Sequence, residues 1–346
     1  MHLTPLPSLP AVSYVMPVLN EEEHLETAVR TILGQQYKGE KEIVLALGPS
    51  TDRSTEIADR LAAADPRVRL VENPGRDIPI GLNLAIATSR FPVVVRVDAH
   101  SELVPEYTSA GIAALRREGA ANVGGVMQAA GRTTVQRAIA AGYNSPYGLG
   151  GGAYHGDGTP GPAESAYLGI FRREAIEAVG GYDPGIRRGE DWELNLRIRM
   201  AGGIVWFDPS LRVTYWPRAS LPDLSRQFFA TGAWRAVLVR RHPRAHPWRF
   251  FAPGALVLAL TTSLVVLALQ CVGLVPWAWW SVVHALPLAY AGAVAFGTTR
   301  LPALHGVRER LVGAAVLVTM HVSWGVGFLV GIAGGASRTV DRSRAR

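Results

Sequence analysis

Apolar residues recur along the first 220 positions in two alternating patterns. Short, largely β-branched runs typical of buried parallel strands alternate with segments whose apolar residues repeat at helical spacing. The runs lie at 11–18, 42–47, 68–71, 93–97, 123–127, 166–172, 204–208 and 211–215, and the helical segments at 54–64, 81–87, 108–117, 173–179 and 190–200. This alternation predicts an α/β fold with a doubly wound, mostly parallel sheet.

The pattern changes from residue 221 onward. Residues 221–249 are rich in Arg, Trp and Phe, which favours a basic amphipathic helix in a membrane interface, although a helix packed on the preceding domain has a similar composition. Three apolar spans follow at 251–275, 277–296 and 311–335, each reaching the roughly 20 residues that a bilayer core requires. The third span is rich in glycine, so a re-entrant hairpin is an alternative to a spanning helix.

These boundaries predict four regions. They are a catalytic-type domain at 1–220, the interfacial segment at 221–249, a membrane region with C-terminal transmembrane helices at 250–336, and an Arg-rich tail at 337–346. If the first of three spans begins on the cytoplasmic side, the tail ends on the opposite side of the membrane. The basic residues of the tail favour the cytoplasmic side instead; they are Arg338, Arg342, Arg344 and Arg346. The sequence leaves both orientations of the tail open.

The formal net charge of +7 belongs to the C-terminal third. Residues 1–234 carry 23 basic and 26 acidic side chains, whereas residues 235–346 carry 12 Arg and only two acids. Basic residues beside apolar spans indicate membrane lipids rather than nucleic acid as the partner. The N-terminus lacks the pattern of a signal peptide, so we expect a multi-pass inner-membrane protein with its first domain in the cytoplasm.

Polar side chains follow the ends of several predicted strands. Asn20 and Glu21 follow the first strand, where they would cap a helix or line a ligand pocket. Asp98 and His100 follow the run Val93–Val97, and two positions apart in an extended chain they project to the same side. Because ligands bind beyond the carboxyl ends of such strands, we expect Asp98 and His100 to hold one divalent cation. A buried strand that simply turns here is the plain alternative.

Two acidic residues, Glu190 and Asp191, begin a predicted helix. The helix dipole favours the charged, proton-accepting form of a carboxylate at this position. Capping of the helix is the plain alternative to catalysis.

The lone Cys271 provides neither a disulfide framework nor a cysteine metal site.

The ordered series of motifs resembles one known family. Pro17-Val18-Leu19-Asn20-Glu21, Ser50-Thr51-Asp52, Asp98-Ala99-His100 and the stretch YLGIFRREAIEAVGGYD before Glu190-Asp191 are similar to motifs of the inverting family 2 glycosyltransferases, which have a GT-A fold. The series most resembles the membrane-bound bacterial branch that builds succinoglycan-type exopolysaccharides, where a VDAH-like sequence replaces Asp-x-Asp. The resemblance covers about residues 11–235.

The resemblance implies a role for each matching residue. Asp191 would be the general base, and Glu190 and Trp192 would orient the acceptor. Asp98 and His100 would hold Mn²⁺ or Mg²⁺ against the diphosphate of the donor. The residues that would bind the nucleotide sugar are Pro17, Asn20, Glu21, Gly48, Arg76 and Asp98.

The implied activity is a metal-dependent inverting transfer of a hexose from a nucleotide sugar to a lipid-linked or cell-envelope polysaccharide acceptor. The alternative is a non-catalytic scaffold that binds sugar nucleotides. Ala46-Leu47-Gly48-Pro49 stands where many relatives carry an acidic pair that reads the base, so the donor base stays open. Gln227-Phe228-Phe229-Ala230 departs from the Gln-x-x-Arg-Trp of processive members, which favours addition of one sugar per encounter.

The segment Gly142–Pro162 holds eight glycines and three prolines. This composition predicts a mobile loop that orders over donor and acceptor. His155 and Asp157 within it are not assigned to a second metal site.

Overall fold

The computed structural model of the chain describes residues 1–149, 158–243, 245, 248–301, 304–336 and 339. His155, Asp157, Arg244 and almost all of the predicted Arg-rich tail lie outside them. The chain divides into two compact units, one formed by residues 1–129 and 152–216 and the other by residues 130–151 and 217–343.

The first unit is built on a nine-stranded sheet of described residues. The strands are β1 (Val12–Val18), β2 (Lys41–Leu47), β3 (Val68–Glu72), β4 (Val93–Arg96), β5 (Ser101–Leu103), β6 (Asn122–Ala129), β7 (Gly161–Pro162), β8 (Tyr167–Arg172) and β9 (Val205–Tyr215). Their order is β3-β2-β1-β4-β8-β6-β9-β5, with β7 paired to β9. The first four strands are parallel, and β8 runs antiparallel between β4 and β6. The carboxyl ends of β1, β2 and β4 therefore share one edge of the sheet.

Helices cover both faces of this sheet. They are α1 (Leu25–Leu33), α2 (Ser54–Ala64), α3 (Ile78–Thr88), α4 (Tyr107–Arg117), α7 (Arg173–Ala178) and α8 (Glu190–Met200), while α5 (Thr134–Tyr143) and α6 (Pro146–Leu149) belong to the second unit. Side chains alternate between two cores. Val93, Val95 and Val97 point to the core shared with α1, α2 and α4. Val94 points to the core shared with α3, α7 and α8.

The predicted α/β sheet is confirmed, and α2 and α8 have the bounds that the sequence predicts. Three local predictions are wrong. The two short strands at 204–208 and 211–215 are one strand, β9, whose pairing with β6 shifts register between Gly124 and Val126. The helix predicted at 81–87 begins earlier, at Ile78. Residues 150–157 of the mobile loop predicted at 142–162 lie outside the described residues, and the rest of that segment contains the end of α5, the whole of α6 and β7.

The second unit also contains α9 (Leu221–Arg241), α10 (Ala252–Cys271), α11 (Trp277–Trp280), α12 (Ala285–Thr299) and α13 (Val307–Gly334). Three helical stretches are long and apolar enough to cross a membrane, at Trp248–Cys271, Trp277–Thr299 and Val307–Gly334. The third is one continuous helix, so the re-entrant hairpin that its glycines suggested is wrong.

The glycines of α13 are packing positions. A Cβ at Gly327 would overlap the Phe229 carbonyl of α9, and one at Gly331 would meet the Ala233 carbonyl. Gly232 of α9 has the same relation to the Trp324 carbonyl of α13. Small residues therefore let the two backbones approach closely, as in membrane helix pairs.

We predict that Gly327→Val lowers the stability of the second unit. The new side chain would have to displace the backbone of α9, and overpacking of this kind costs about 2 kcal/mol or more. Thermal unfolding of the full chain in detergent measures the loss. Gly292→Val is the matched control, because a Cβ at Gly292 in α12 meets nothing within 4 Å. Equal melting temperatures for the two variants would contradict the close packing of α9 on α13.

A buried carboxylate fastens the edge of the sheet opposite to the carboxyl ends of the parallel strands. Glu42 at the start of β2 is 1% exposed and accepts hydrogen bonds from Ser13 Oγ at 2.7 Å, Arg90 N at 2.6 Å and Arg69 Nη1 at 3.1 Å. Burial alone would raise the pKa of Glu42, but hydrogen bonds from Arg90, Ser13 and Arg69 outweigh it and hold the pKa below the usual 4.5.

We predict that Glu42→Gln destabilises the chain at pH 7 by about 1–2 kcal/mol, because the buried carboxylate loses its charge-assisted hydrogen bonds while Arg69 and Arg90 stay partly solvated. A depressed pKa contributes stability that is fully present above the unfolded value and is lost as the pH falls through the folded value. The difference between parent and variant should therefore shrink below pH 4.5. Urea unfolding at pH 7, 5 and 3 measures it. Glu56→Gln, at an exposed ion pair with Arg53, is the control and should show no such gap.

Candidate active site

The loops that follow β1 and β2 are joined by hydrogen bonds. Asn20 Oδ1 accepts from Thr51 N at 2.8 Å, Asn20 N donates to Ser50 Oγ at 3.1 Å, and Glu21 N donates to Ser54 Oγ at 2.7 Å. Asn20 has a φ of +53°, in the left-handed region that Asn tolerates better than most residues. Asn20 therefore does not cap the first helix, which begins at Leu25. These contacts fix one wall of the carboxyl edge.

Side chains of β4 alternate between the two faces of the sheet, and this alternation determines which face the last residue, Arg96, lies on. Val94 faces the core beneath α3, α7 and α8, and Arg96 follows on the same face. The Arg96 side chain is 4% exposed, so a full positive charge is buried at the carboxyl edge. A buried charge requires partners of opposite sign.

Three carboxylates supply those partners. Arg96 Nη2 lies 3.1 Å from Asp98 Oδ1 and 3.0 Å from Glu190 Oε1, and Arg96 Nη1 contacts Asp191 Oδ1. Arg96 Nε adds a second contact to Asp98 Oδ1 at 3.3 Å. The guanidinium thus joins the predicted metal ligand to both acidic residues of the α8 start. We call Arg96, Asp98, Glu190 and Asp191 the Arg96 cluster.

The loop before α8 aims its first two residues at this cluster. Gly189 has a φ of +79°, a conformation that glycine adopts without strain, and the helix starts directly after it. Arg197 ties α8 to the preceding turn, since its Nη2 donates to the Gly181 carbonyl at 2.7 Å and to Glu193 at 2.7 Å. The ring of Tyr182 lies 6.0 Å from the Arg96 guanidinium carbon.

The Arg96 cluster has more negative than positive charges. Burial would lower the pKa of Arg96, but the charges of Asp98 and Glu190 raise it above its usual value, so the guanidinium stays charged. Three carboxylates face one guanidinium, and the side chains of Asp98 and Asp191 are 18% and 25% exposed. A partly open site with excess negative charge attracts a cation or a hydroxyl donor.

His100 lies in a different set of contacts. The chain turns after Asp98, with Ser101 N donating to the Asp98 carbonyl at 2.9 Å, so the extended geometry predicted for residues 98 to 100 is wrong. The His100 ring is buried, its Nδ1 lies 3.2 Å from Glu21 Oε1, and its ring packs edge-on against Tyr215. His100 therefore meets the nucleotide-side residue Glu21.

The other predicted residues occupy varied surroundings. Pro17 is half-buried near the end of β1, paired with Ala46 of β2. Gly48 is buried and its N–H donates to the Val18 carbonyl at 2.8 Å. Arg76 is exposed in the loop after β3, with a φ of +59°. The Trp192 indole is 6% exposed and sits inside the first unit.

The residues present fit a divalent cation that a bound diphosphate helps to coordinate. Among the residues that the structure describes, no group of three or more His, Cys, Asp or Glu side chains forms a complete cage. Mg²⁺ and similar cations at phosphate sites are held by one or two carboxylates together with substrate oxygens, and Asp98 can be such a carboxylate. The Glu21–His100 contact is typical of a histidine oriented by a carboxylate for metal binding.

Sequence reasoning missed Arg96, the residue at the centre of the cluster. The signal was present, because a single Arg interrupts the apolar run Val93–Val97. A charge within a fully buried strand requires ionic partners, and acidic residues beyond the strand were the obvious ones.

Comparison with known proteins identifies the family of the chain. The model of glycosyl transferase family 2 matches residues 13–180. Succinoglycan biosynthesis protein ExoA of Rhizobium meliloti (strain 1021) is 33% identical over 317 residues, covering 91% of this chain and 92% of the relative. A dolichyl N-acetyl-alpha-D-glucosaminyl phosphate 3-beta-D-2,3-diacetamido-2,3-dideoxy-beta-D-glucuronosyltransferase of Methanococcus voltae is 22% identical over 242 residues, covering 66% of this chain and 74% of the relative.

A solved structure has the same fold. It is the mannosyltransferase PcManGT from Pyrobaculum calidifontis, in complex with GDP-Man and Mn²⁺, with a TM-score of 0.57 and 17% identity. The likeness covers 94% of this chain and 87% of that one.

The chain therefore belongs to glycosyl transferase family 2, and it is a glycosyltransferase with a GT-A-like fold. The resemblance stated from its motifs is confirmed. Family membership also removes the non-catalytic scaffold as the alternative. Its three apolar helices and its likeness to an exopolysaccharide biosynthesis protein indicate a membrane protein.

Proposed function

We propose that the chain is a metal-dependent inverting glycosyltransferase that moves a hexose from a nucleotide sugar to a lipid-linked or cell-envelope glycan acceptor at the cytoplasmic face of the membrane. The observation that carries the proposal is the Arg96 cluster. It joins the carboxylates of Asp98, Glu190 and Asp191 at the edge where the parallel strands end. Ligands bind at this edge in open α/β sheets.

Asp191 acts as the general base in this proposal. An inverting transfer needs one carboxylate that removes the proton of the acceptor hydroxyl as the oxygen attacks the anomeric carbon opposite the leaving group. Asp191 lies in the first turn of α8 and its side chain is 25% exposed, so a hydroxyl can approach it. Glu190 is more deeply buried and orients the acceptor side of the cluster together with Trp192.

Asp98 and His100 hold the divalent cation, either Mn²⁺ or Mg²⁺. When bound, the cation neutralises the charge that develops on the departing nucleoside diphosphate. Glu21 orients His100, and Asn20, Pro17 and Gly48 form the backbone wall against which the nucleotide lies. Arg76 approaches a phosphate from its exposed loop. The complex of PcManGT with GDP-Man and Mn²⁺ supports a nucleotide-sugar donor and a divalent cation for this fold.

The apolar helices hold the enzyme at the bilayer, where a lipid-linked acceptor resides. The likeness to ExoA and to the Methanococcus voltae transferase, whose name gives a dolichyl phosphate sugar as its substrate, supports such an acceptor.

A donor screen tests the proposal. Purified full-length protein in detergent is incubated with UDP-, GDP- and dTDP-hexoses, with Mn²⁺, with Mg²⁺ or with EDTA, and release of nucleoside diphosphate is measured. We expect one donor to release its nucleoside diphosphate in a cation-dependent manner, with water taking the place of the acceptor hydroxyl at the anomeric carbon. Turnover that persists undiminished in EDTA would contradict the proposal.

A further inference from the structure

We propose that Arg96 is a positioning residue whose guanidinium supplies the positive charge beside Asp98 and Asp191 when no donor is bound. Its guanidinium holds Asp191 in the orientation of a base and competes with the divalent cation for Asp98. This inference deepens the proposed function and rests on it for the roles of Asp98 and Asp191.

The geometry gives Arg96 two functions through its separate nitrogens. Nη1 contacts Asp191, while Nη2 and Nε contact Asp98 at 3.1 and 3.3 Å. A planar guanidinium fixes the direction of each of its N–H groups, so the two carboxylates are held at a set distance from one another. A Lys ammonium at this position has the charge without that fixed fork.

The second function of Arg96 is to compete with a divalent cation for the carboxylate of Asp98, because both carry positive charge. A divalent cation that binds Asp98 must approach a buried guanidinium already in contact with the same carboxylate. Removing this positive charge frees the Asp98 carboxylate from its guanidinium partner and removes the repulsion that a cation meets there, so the variant binds a cation at Asp98 more tightly than the parent. The parent thereby ties cation binding to arrival of the donor diphosphate, whose negative charge offsets the repulsion.

The test uses Arg96→Gln, which removes the charge, and Arg96→Lys, which keeps the charge and removes the fork. Binding of Mn²⁺ alone to the full-length protein in detergent is measured by the loss of the free-ion EPR signal. We expect Arg96→Gln to bind Mn²⁺ about tenfold more tightly than the parent and Arg96→Lys to bind it as the parent does. In donor turnover both variants should lose about 100-fold in kcat, because Asp191 is no longer oriented.

Arg172→Gln is the matched control. Arg172 lies in β8, the neighbour of β4, and is also 4% exposed, but it donates to the carbonyls of Ala120 and Thr4 at 2.9 and 2.5 Å. Its pairing with Val93 places it at the opposite end of β4 from Arg96. We expect its loss to lower the melting temperature and to leave Mn²⁺ affinity unchanged.

Equal or weaker Mn²⁺ binding by Arg96→Gln overturns the proposal, as does full turnover by Arg96→Lys. If Arg96→Gln does not fold in metal-free buffer, recovery of its circular dichroism signal on adding Mn²⁺ supports the proposal, and absence of recovery overturns it. The Mn²⁺ titration does not depend on turnover. Failure of the donor screen with tighter Mn²⁺ binding would therefore contradict the proposed function and leave the competition intact.

Discussion

Replacing Asp191 with Asn is expected to reduce kcat for donor turnover about 1,000-fold, within the range that loss of a general base produces. The amide keeps the size of the side chain and an oxygen that can still accept from Arg96, so the cluster loses basicity rather than shape. The KM for the donor should change little, because the proposed contacts to the nucleotide lie on the β1, β2 and β4 side of the site.

Glu174→Gln is the control for this variant. Glu174 is also an acidic residue in the first turn of a helix, where it accepts from Thr4 N at 2.8 Å. Its helix α7 follows β8, which runs antiparallel to β4, and so begins at the opposite edge of the sheet. Turnover by Asp191→Asn at the rate of Glu174→Gln would remove Asp191 from the role of base.

The regular part of the fold follows from the sequence because burial imposes a strict pattern. In Val93–Val97 every residue except Arg96 is apolar, since both faces of β4 are covered. The helix Glu190–Met200 is bounded by Gly189 and by the Gly202-Gly203 pair, which mark its ends in the sequence. Local rules are sufficient where the residues that decide a boundary stand next to it.

The site follows from the sequence only in part, because its contacts join distant positions. The motifs identify Asp98 and Asp191, but not that the guanidinium of Arg96, 95 positions before Asp191, contacts both of them. The backbone at His100 departs from prediction, because a turn at Asp98–Ser101 and not an extended chain directs the ring to Glu21; its role as a cation ligand stays a proposal. Asn20 departs because its side chain accepts from Thr51 N, 31 residues away, and the helix that follows begins only at Leu25.

The glycines of α13 give the same lesson for packing. In the sequence a glycine within an apolar span indicates either a break or a close contact, and both remain open until the partner is known. The partner is α9, whose Phe229 carbonyl lies where a side chain at Gly327 would be. The basic, aromatic composition of α9 predicted a helix at 221–249 but contained no sign of this pairing.

Replacing Asp98 with Asn is expected to reduce cation-dependent turnover about 100-fold, because a neutral amide is a much weaker ligand for Mn²⁺ or Mg²⁺ than a carboxylate. The Asn oxygen can still accept from Arg96, so the fold should be retained. The apparent Mn²⁺ requirement in the donor assay should rise together with the donor KM, since cation and diphosphate bind as a pair. Asp65→Asn is the control: Asp65 also pairs with an Arg two residues away, at 2.6 Å, but it follows α2 and precedes β3 at the opposite edge of the sheet. An Asp98→Asn enzyme with the Mn²⁺ dependence of Asp65→Asn would show that Asp98 does not hold the cation.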